Sequence, residues 1–172
     1  MVAIKRKGLL WHLFRAPVHL YRWHLGWLFG NRCLLLTHMG RRTGLPRQTV
    51  LEVVEYRKDG PEVVVVNGFG PASDWLLNIE SVGGEEVVVG SQRFLAEHRF
   101  LDKEEAARVI RGYEQRNQFI APIVRAGLSW LLGWQYRDGE SDRQRLVEQL
   151  RLIAFRPRAS QVQAEFAARR GG

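Results

Sequence analysis

From residue 33 onward, apolar positions come in short blocks bounded by glycine-containing turns, a pattern of strands more than of helices. Residues 33–38 predict a first strand, 49–56 a second that ends in the turn Arg57-Lys58-Asp59-Gly60, and 63–67 a third. After the loop Gly68-Phe69-Gly70-Pro71-Ala72-Ser73, a short helix follows with Ser73 or Asp74 as N-cap and Trp75, Leu76 and Ile79 as its apolar residues. Two more strands, 85–89 and 92–100, meet at Gly90-Ser91. Asp102 then caps a helix to about residue 118, with Glu105 placed three residues on as in a capping box. Residues 119–149 read as two further helices separated by 133–139, and 151–156 as a last strand stopped by Pro157. Strands clustered at 33–100 with helices before and after predict an α+β barrel and argue against βαβ winding.

The first thirty residues follow another pattern. Leu9, Leu10, Leu13 and Phe14 recur at helical spacing, Pro17 separates two short helices, and Trp11, Tyr21, Trp23, Trp27 and Phe29 lie among Lys and Arg. Such a segment can lie in a membrane interface, pack over the barrel or form a dimer seam. The chain divides into basic amphipathic helices at 1–30, a barrel domain at 31–158 and a polar tail at 159–172. No stretch has the length of a membrane span or the cleavage site of a secretory signal. Cys33, the single cysteine, cannot form an intrachain disulfide and reads as a packed small hydrophobe. The expected location is the cytoplasm, with residues 1–30 available to the inner face of the cell membrane, and the expected state is monomer or homodimer.

The charge distribution sharpens this picture more than the total of +8 does. Residues 1–51 hold nine Lys or Arg and no Asp or Glu, whereas the remainder carries 17 positive against 18 negative side chains. A polyanionic partner for the N-terminal half follows: a phosphorylated cofactor, an anionic lipid surface or nucleic acid. Nucleic acid is disfavoured, because the arginines and aromatics form no helix-turn-helix, finger or ribonucleoprotein motif. His12, His19 and His24 lack one-face helical spacing and nearby carboxylates, so no metal site is expected.

The candidate chemistry begins where the first strand ends, at Gly-Arg-Arg-Thr-Gly-Leu-Pro-Arg in residues 40–47. Gly40 and Gly44 permit positive φ and close approach, while Arg41, Arg42 and Arg47 offer planar forks to anionic oxygens. The alternative is a hairpin turn that its arginines merely solvate. Asn67-Gly68-Phe69-Gly70 ends a buried β-branched run, where two glycines let a flat ring approach the main chain or simply make a turn. Tyr113 and Tyr136 are the proton donors that the helical region offers, each also readable as a packing residue.

These motifs, with Ser73-Asp74-Trp75-Leu76-Leu77-Asn78, Val87-Val88-Val89-Gly90-Ser91-Gln92-Arg93-Phe94 and the closing Leu152-Ile153-Ala154-Phe155-Arg156-Pro157, resemble the deazaflavin (F420)-dependent nitroreductase family over residues 30–158. The resemblance implies a split β-barrel of the flavin-reductase, FMN-binding-like type with flanking helices, using reduced coenzyme F420 as hydride donor. It assigns the cofactor's phosphate region to Arg41, Arg42, Thr43, Gly44 and Arg47, and the deazaflavin ring to Asn67, Gly68, Gly70, Trp75 and Asn78. Phe69, Leu76 and Tyr136 become candidate substrate neighbours, with Leu76 standing where the family often has tyrosine; no residue is singled out as catalytic. The acceptor implied is a quinone, an activated alkene or a nitroaromatic. The alternatives are a reductase using flavin mononucleotide (FMN) and a non-catalytic peripheral lipid-binding protein.

Overall fold

The computed structural model describes residues 31–57, 62–68, 70, 72–83 and 85–159. Six strands close into one antiparallel barrel: β1 (Cys33–Met39), β2 (Pro46–Arg57), β3 (Glu62–Val66), β4 (Glu85–Val89), β5 (Gln92–Phe100) and β6 (Leu152–Pro157), in the spatial order β1-β2-β3-β6-β5-β4. Among the described residues, α1 (Asp74–Val82) joins β3 to β4, while α2 (Lys103–Arg116), α3 (Ala121–Leu132) and α4 (Glu140–Gln149) lie between β5 and β6. The α+β barrel read from the sequence is therefore the observed architecture. The helices expected in 1–30, the turn around Lys58, Phe69 and all but the first residue of the 159–172 tail lie outside the described residues. Among the described residues no helix is long and apolar enough to cross a membrane.

Alternation along the strands sorts side chains into two cores. Leu34, Leu36, Val63, Val65, Val87, Val89, Ile153 and Phe155 fill the barrel with Trp75, Leu76 and Ile79 of α1, which makes α1 the plug of the interior. Val54, Val64, Leu152 and Ala154 face the other way and bury Ala106, Val109, Ile110 and Leu146 of the helical layer. A bulge between Val53 and Glu55 in the β2–β3 ladder resets the phase by one residue. In consequence Tyr56 packs against the barrel core, and Glu55 and Arg57 join an outer ionic cluster.

Two strands depart from the expected limits. β2 starts at Pro46, three residues earlier than its apolar pattern, because the preceding turn is tight enough for Pro46 to pair with Met39 and Arg47 with His38. β6 starts at Leu152 and includes Pro157, whose missing N–H costs nothing at the strand's last position.

The outer cluster pins α2 to the sheet. Asp102 accepts from the amide of Glu105 at 2.7 Å, as predicted, but the carboxylate of Glu105 does not return to the N-cap. It goes to Arg99 at 2.7 Å and Arg57 at 3.0 Å, and both guanidinia also reach Glu62, at 2.8 and 2.6 Å. Two cations outbid one backbone N–H for the same oxygens. The hydrogen bond from Arg99, reinforced by Arg57, pulls the Glu105 carboxyl from the usual 4.5 to about 2. Since the folded value lies below the unfolded one, this stabilisation is present above about pH 4.5 and lost as pH falls toward 2. Glu105→Gln should thus lower stability by about 1–2 kcal/mol at pH 7, and urea unfolding curves of the two proteins should converge on acidification below pH 4.

Candidate functional site

Because every ladder is antiparallel, the C-terminal ends of β1, β3 and β5 share one end of the barrel with the start of β4. The arginine turn after β1, the loop after β3 and α1 all lie at this end, and α1 closes it.

Within the turn, Gly40 donates to the Leu45 carbonyl at 2.9 Å, and its own carbonyl accepts from the amides of Thr43 and Gly44 at 3.1 and 2.8 Å. Gly44 takes φ +62°, the left-handed conformation that suits glycine. Gly40 is needed for space instead: a Cβ there would stand 2.8 Å from Thr43 Oγ1 and 2.9 Å from Arg47 Nε. Arg47 therefore folds back over the turn, close to Thr43.

The three arginines divide into two kinds. Arg41 is committed to α1: its Nη1 donates to Asn78 Oδ1 at 2.9 Å and Asp74 Oδ1 at 3.2 Å, and its backbone N–H to Asn78 Oδ1 at 3.1 Å. Arg42 and Arg47 are exposed, and neither forms an ion pair with another described residue. The two donors from Arg41 fix the Asn78 oxygen on their side, so its Nδ2 must face His38, where it lies 3.1 Å from Nδ1. His38 Nδ1 is then the acceptor and its proton sits on Nε2. Burial dominates the lowering of the His38 pKa below the usual 6.5, which keeps the ring neutral in this arrangement.

His38 occupies an inward position of β1, and Glu85 starts β4 at the same end, one step beyond the Thr37–Glu86 pair. Glu85 is 1% exposed and lies 2.9 Å from His98 Nδ1 of β5, whose ring meets the edge of Phe100. His38, Asn78 and Glu85 are thus buried polar residues at the plugged end of the barrel, with the half-buried His98 against Glu85. The sequence reading did not single out His38, Glu85 or His98. The signal lay in the period-two phase, since each stands in register with inward residues such as Leu36, Val87 and Ala96.

Asn67, 1% exposed, organises the second loop. Its Nδ2 donates to the Gly70 carbonyl at 2.7 Å, its Oδ1 accepts from Ser73 Oγ at 3.0 Å, and its amide donates to the Arg151 carbonyl at 2.9 Å. Ser73 is the N-cap residue, yet its hydroxyl serves Asn67 and caps nothing. Gly68 bonds back to Val66, and Gly70 takes φ +79°. Next along the chain, the Trp75 indole N–H is buried with no acceptor among the described residues.

The structure accordingly brings together Arg41, Asn78 and Asp74, and joins Asn67, Gly70 and Ser73 at the start of the same helix. Leu76 is 1% exposed and packs in the barrel core with Trp75 and Ile79. Tyr136 belongs to the helical layer: its hydroxyl donates to Glu114, and it lines a cavity of about 350 Å³ with Arg125, Ser129 and Arg137, none of them at the plugged end. Tyr113 is likewise engaged, donating to Glu52. Burial raises the pKa of both phenols.

Among solved structures the chain is similar to an F420-H2-dependent reductase (FDR-A), with 14% identity over 73% of this chain and 95% of that one and a TM-score of 0.47. It is also similar to a pyridoxamine 5'-phosphate oxidase-related, FMN-binding protein from Nostoc punctiforme, with 13% identity, 90% and 81% coverage and a TM-score of 0.41. A third is a general stress protein 26-related protein from Clostridium acetobutylicum, at 8% identity, 82% and 84% coverage and a TM-score of 0.45. No curated protein matches. The family model described as F420H(2)-dependent quinone reductase matches residues 13–118, which include the turn, the loop, α1 and five of the six strands. A chain matched over more than half its length, through the very segments that build the plugged end, belongs to the F420H2-dependent quinone reductase family and is an F420-dependent oxidoreductase.

Proposed function

We propose that this chain binds reduced coenzyme F420 with its acidic phosphodiester tail against residues 40–47 and its ring along residues 67–70 and Trp75, and passes a hydride to an electron-poor acceptor. The observation that carries the reading is the pair Arg42 and Arg47, exposed and without carboxylate partners among the described residues, on a turn bolted to α1 through Arg41. A positioned turn with unneutralised guanidinia suits a multiply charged anion. The orphan indole N–H of Trp75 offers a donor at the start of α1, and Gly70 leaves a side-chain-free stretch of backbone next to it. When bound, the deazaflavin supplies two electrons as a hydride equivalent.

In this reading the protein's own residues bind and orient. Arg42 and Arg47 hold the tail, while Asn67 and Ser73 keep the loop in shape. Leu76 and Ile79 seal the barrel beneath, which excludes water from one side of the site. Among acceptors, a quinone is favoured over an activated alkene or a nitroaromatic, because it matches the family's description and because residues 1–30, basic and aromatic, suit the anionic leaflet in which such acceptors dissolve.

Parallel fluorescence titrations with F420 and FMN decide the cofactor; preference for FMN would defeat the reading. Arg42→Ala combined with Arg47→Ala should weaken F420 binding about 10- to 100-fold and flatten its dependence on salt; unchanged affinity would exclude the turn. The neutral His38 ring yields a further expectation. Below its ordinary value of 6.5, protonation removes the acceptor on which Asn78 rests, so F420 affinity should fall as pH is lowered through the acid range. His38→Gln, which does not titrate, should abolish that dependence in the same titration.

A further inference from the structure

The third helix is apolar on both its inner and its outer face. Its inner face carries the half-buried Val124, Leu128, Ser129 and Leu132, of which Leu128 and Leu132 pack on the helical core. Its outer face, counted from the turn that leads into it, consists of Phe119, Pro122, Ile123, Ala126, Gly127 and Trp130, all exposed and all apolar. Phe119 is 91%, Ile123 73% and Trp130 60% accessible. Spacings of three and four residues align them in one continuous stripe, which water alone would not favour.

The charge beside the stripe indicates what covers it. From residue 115 to 137 the chain has three arginines and no carboxylate. Arg125 pairs with Asp138 at 3.1 Å, whereas Arg116, which donates to the Val54 carbonyl, and Arg137, which donates to Gln135, are exposed and keep their charge without an ion pair to another described residue. A twofold interface between two copies would set this basic stretch against itself. An anionic lipid surface would meet it with opposite charge and accept the indole and phenyl rings at headgroup depth.

We infer that the exposed face of α3, from Phe119 to Trp130, is a docking surface for anionic phospholipid. The inference extends the membrane-facing part of the proposed function and adds a contact separate from residues 1–30. Docking there brings the domain to the phase that holds apolar acceptors, with the helical layer as the foot.

The test uses the full chain with phosphatidylglycerol-containing vesicles and with pure phosphatidylcholine vesicles. In a Cys33→Ser background, Ile123→Cys carrying an environment-sensitive fluorophore should shift to the blue on anionic vesicles and be quenched by brominated lipid. The triple variant Phe119→Ser, Ile123→Ser, Trp130→Ser should lower vesicle partitioning roughly tenfold or more while F420 titration stays unchanged. A vesicle-bound protein whose fluorophore still reports water would overturn the α3 contact and leave binding to residues 1–30. Absence of binding to either vesicle would overturn both contacts. A loss of self-association in the triple variant, seen by sedimentation equilibrium with vesicle binding intact, would assign the face to a second copy.

Discussion

The carboxamide of Asn78 gives its two ends to two different parts of the molecule. Its oxygen takes two donors from Arg41 at the head of the turn, and its nitrogen rests on His38 inside the barrel. Oxygen and nitrogen are not interchangeable here, because the partners on one side are donors only and the partner on the other must accept. Turn, plug helix and first strand are thereby held in one arrangement, and the cost of burying an amide and an imidazole is offset by the bonds they make with each other.

This arrangement explains the unequal duties of three neighbouring arginines. A guanidinium that is already engaged by a carboxylate and an amide has little left for a ligand, but it makes an excellent anchor. The remaining two stand on a platform that is already ordered, so a ligand meeting them would not have to order it. Asn67 does the same for the adjoining loop, satisfying its own amide within residues 67–73 and so fixing the conformation of the glycine backbone there.

Much of this was legible in the chain. Strands β4 and β5 could be read to the residue because Val87 and Val89, Phe94 and Ala96 alternate cleanly between glycine turns. The turn at 40–47 declared itself by its glycines and cations. What remained hidden depended on distance along the chain: Arg41 finds its partners 33 and 37 positions away, and Glu105 abandons a local cap for Arg57, 48 positions away. Periodicity identified a helix within 119–132 but could not say which face is inward, since both faces of α3 are largely apolar and only Leu128 and Leu132 meet the core. Of the two readings open for Tyr136, donor or packing residue, the second describes its place in the fold, since its ring belongs to the helical core.

The closure of the barrel bears on assembly. Every described strand, including β1 through its ladder with β4, has a neighbour on both sides, but β2 and β5 change partner midway: β2 pairs with β1 up to Glu52 and with β3 from Val53, and β5 pairs with β4 up to Ala96 and with β6 from there. The places where another polypeptide could add a strand are thereby confined to these one-sided halves of β2 and β5, in place of a whole free edge. Elsewhere on the described barrel, association would have to be written in side chains, and so could be gained or lost by substitution at the surface without disturbing the sheet.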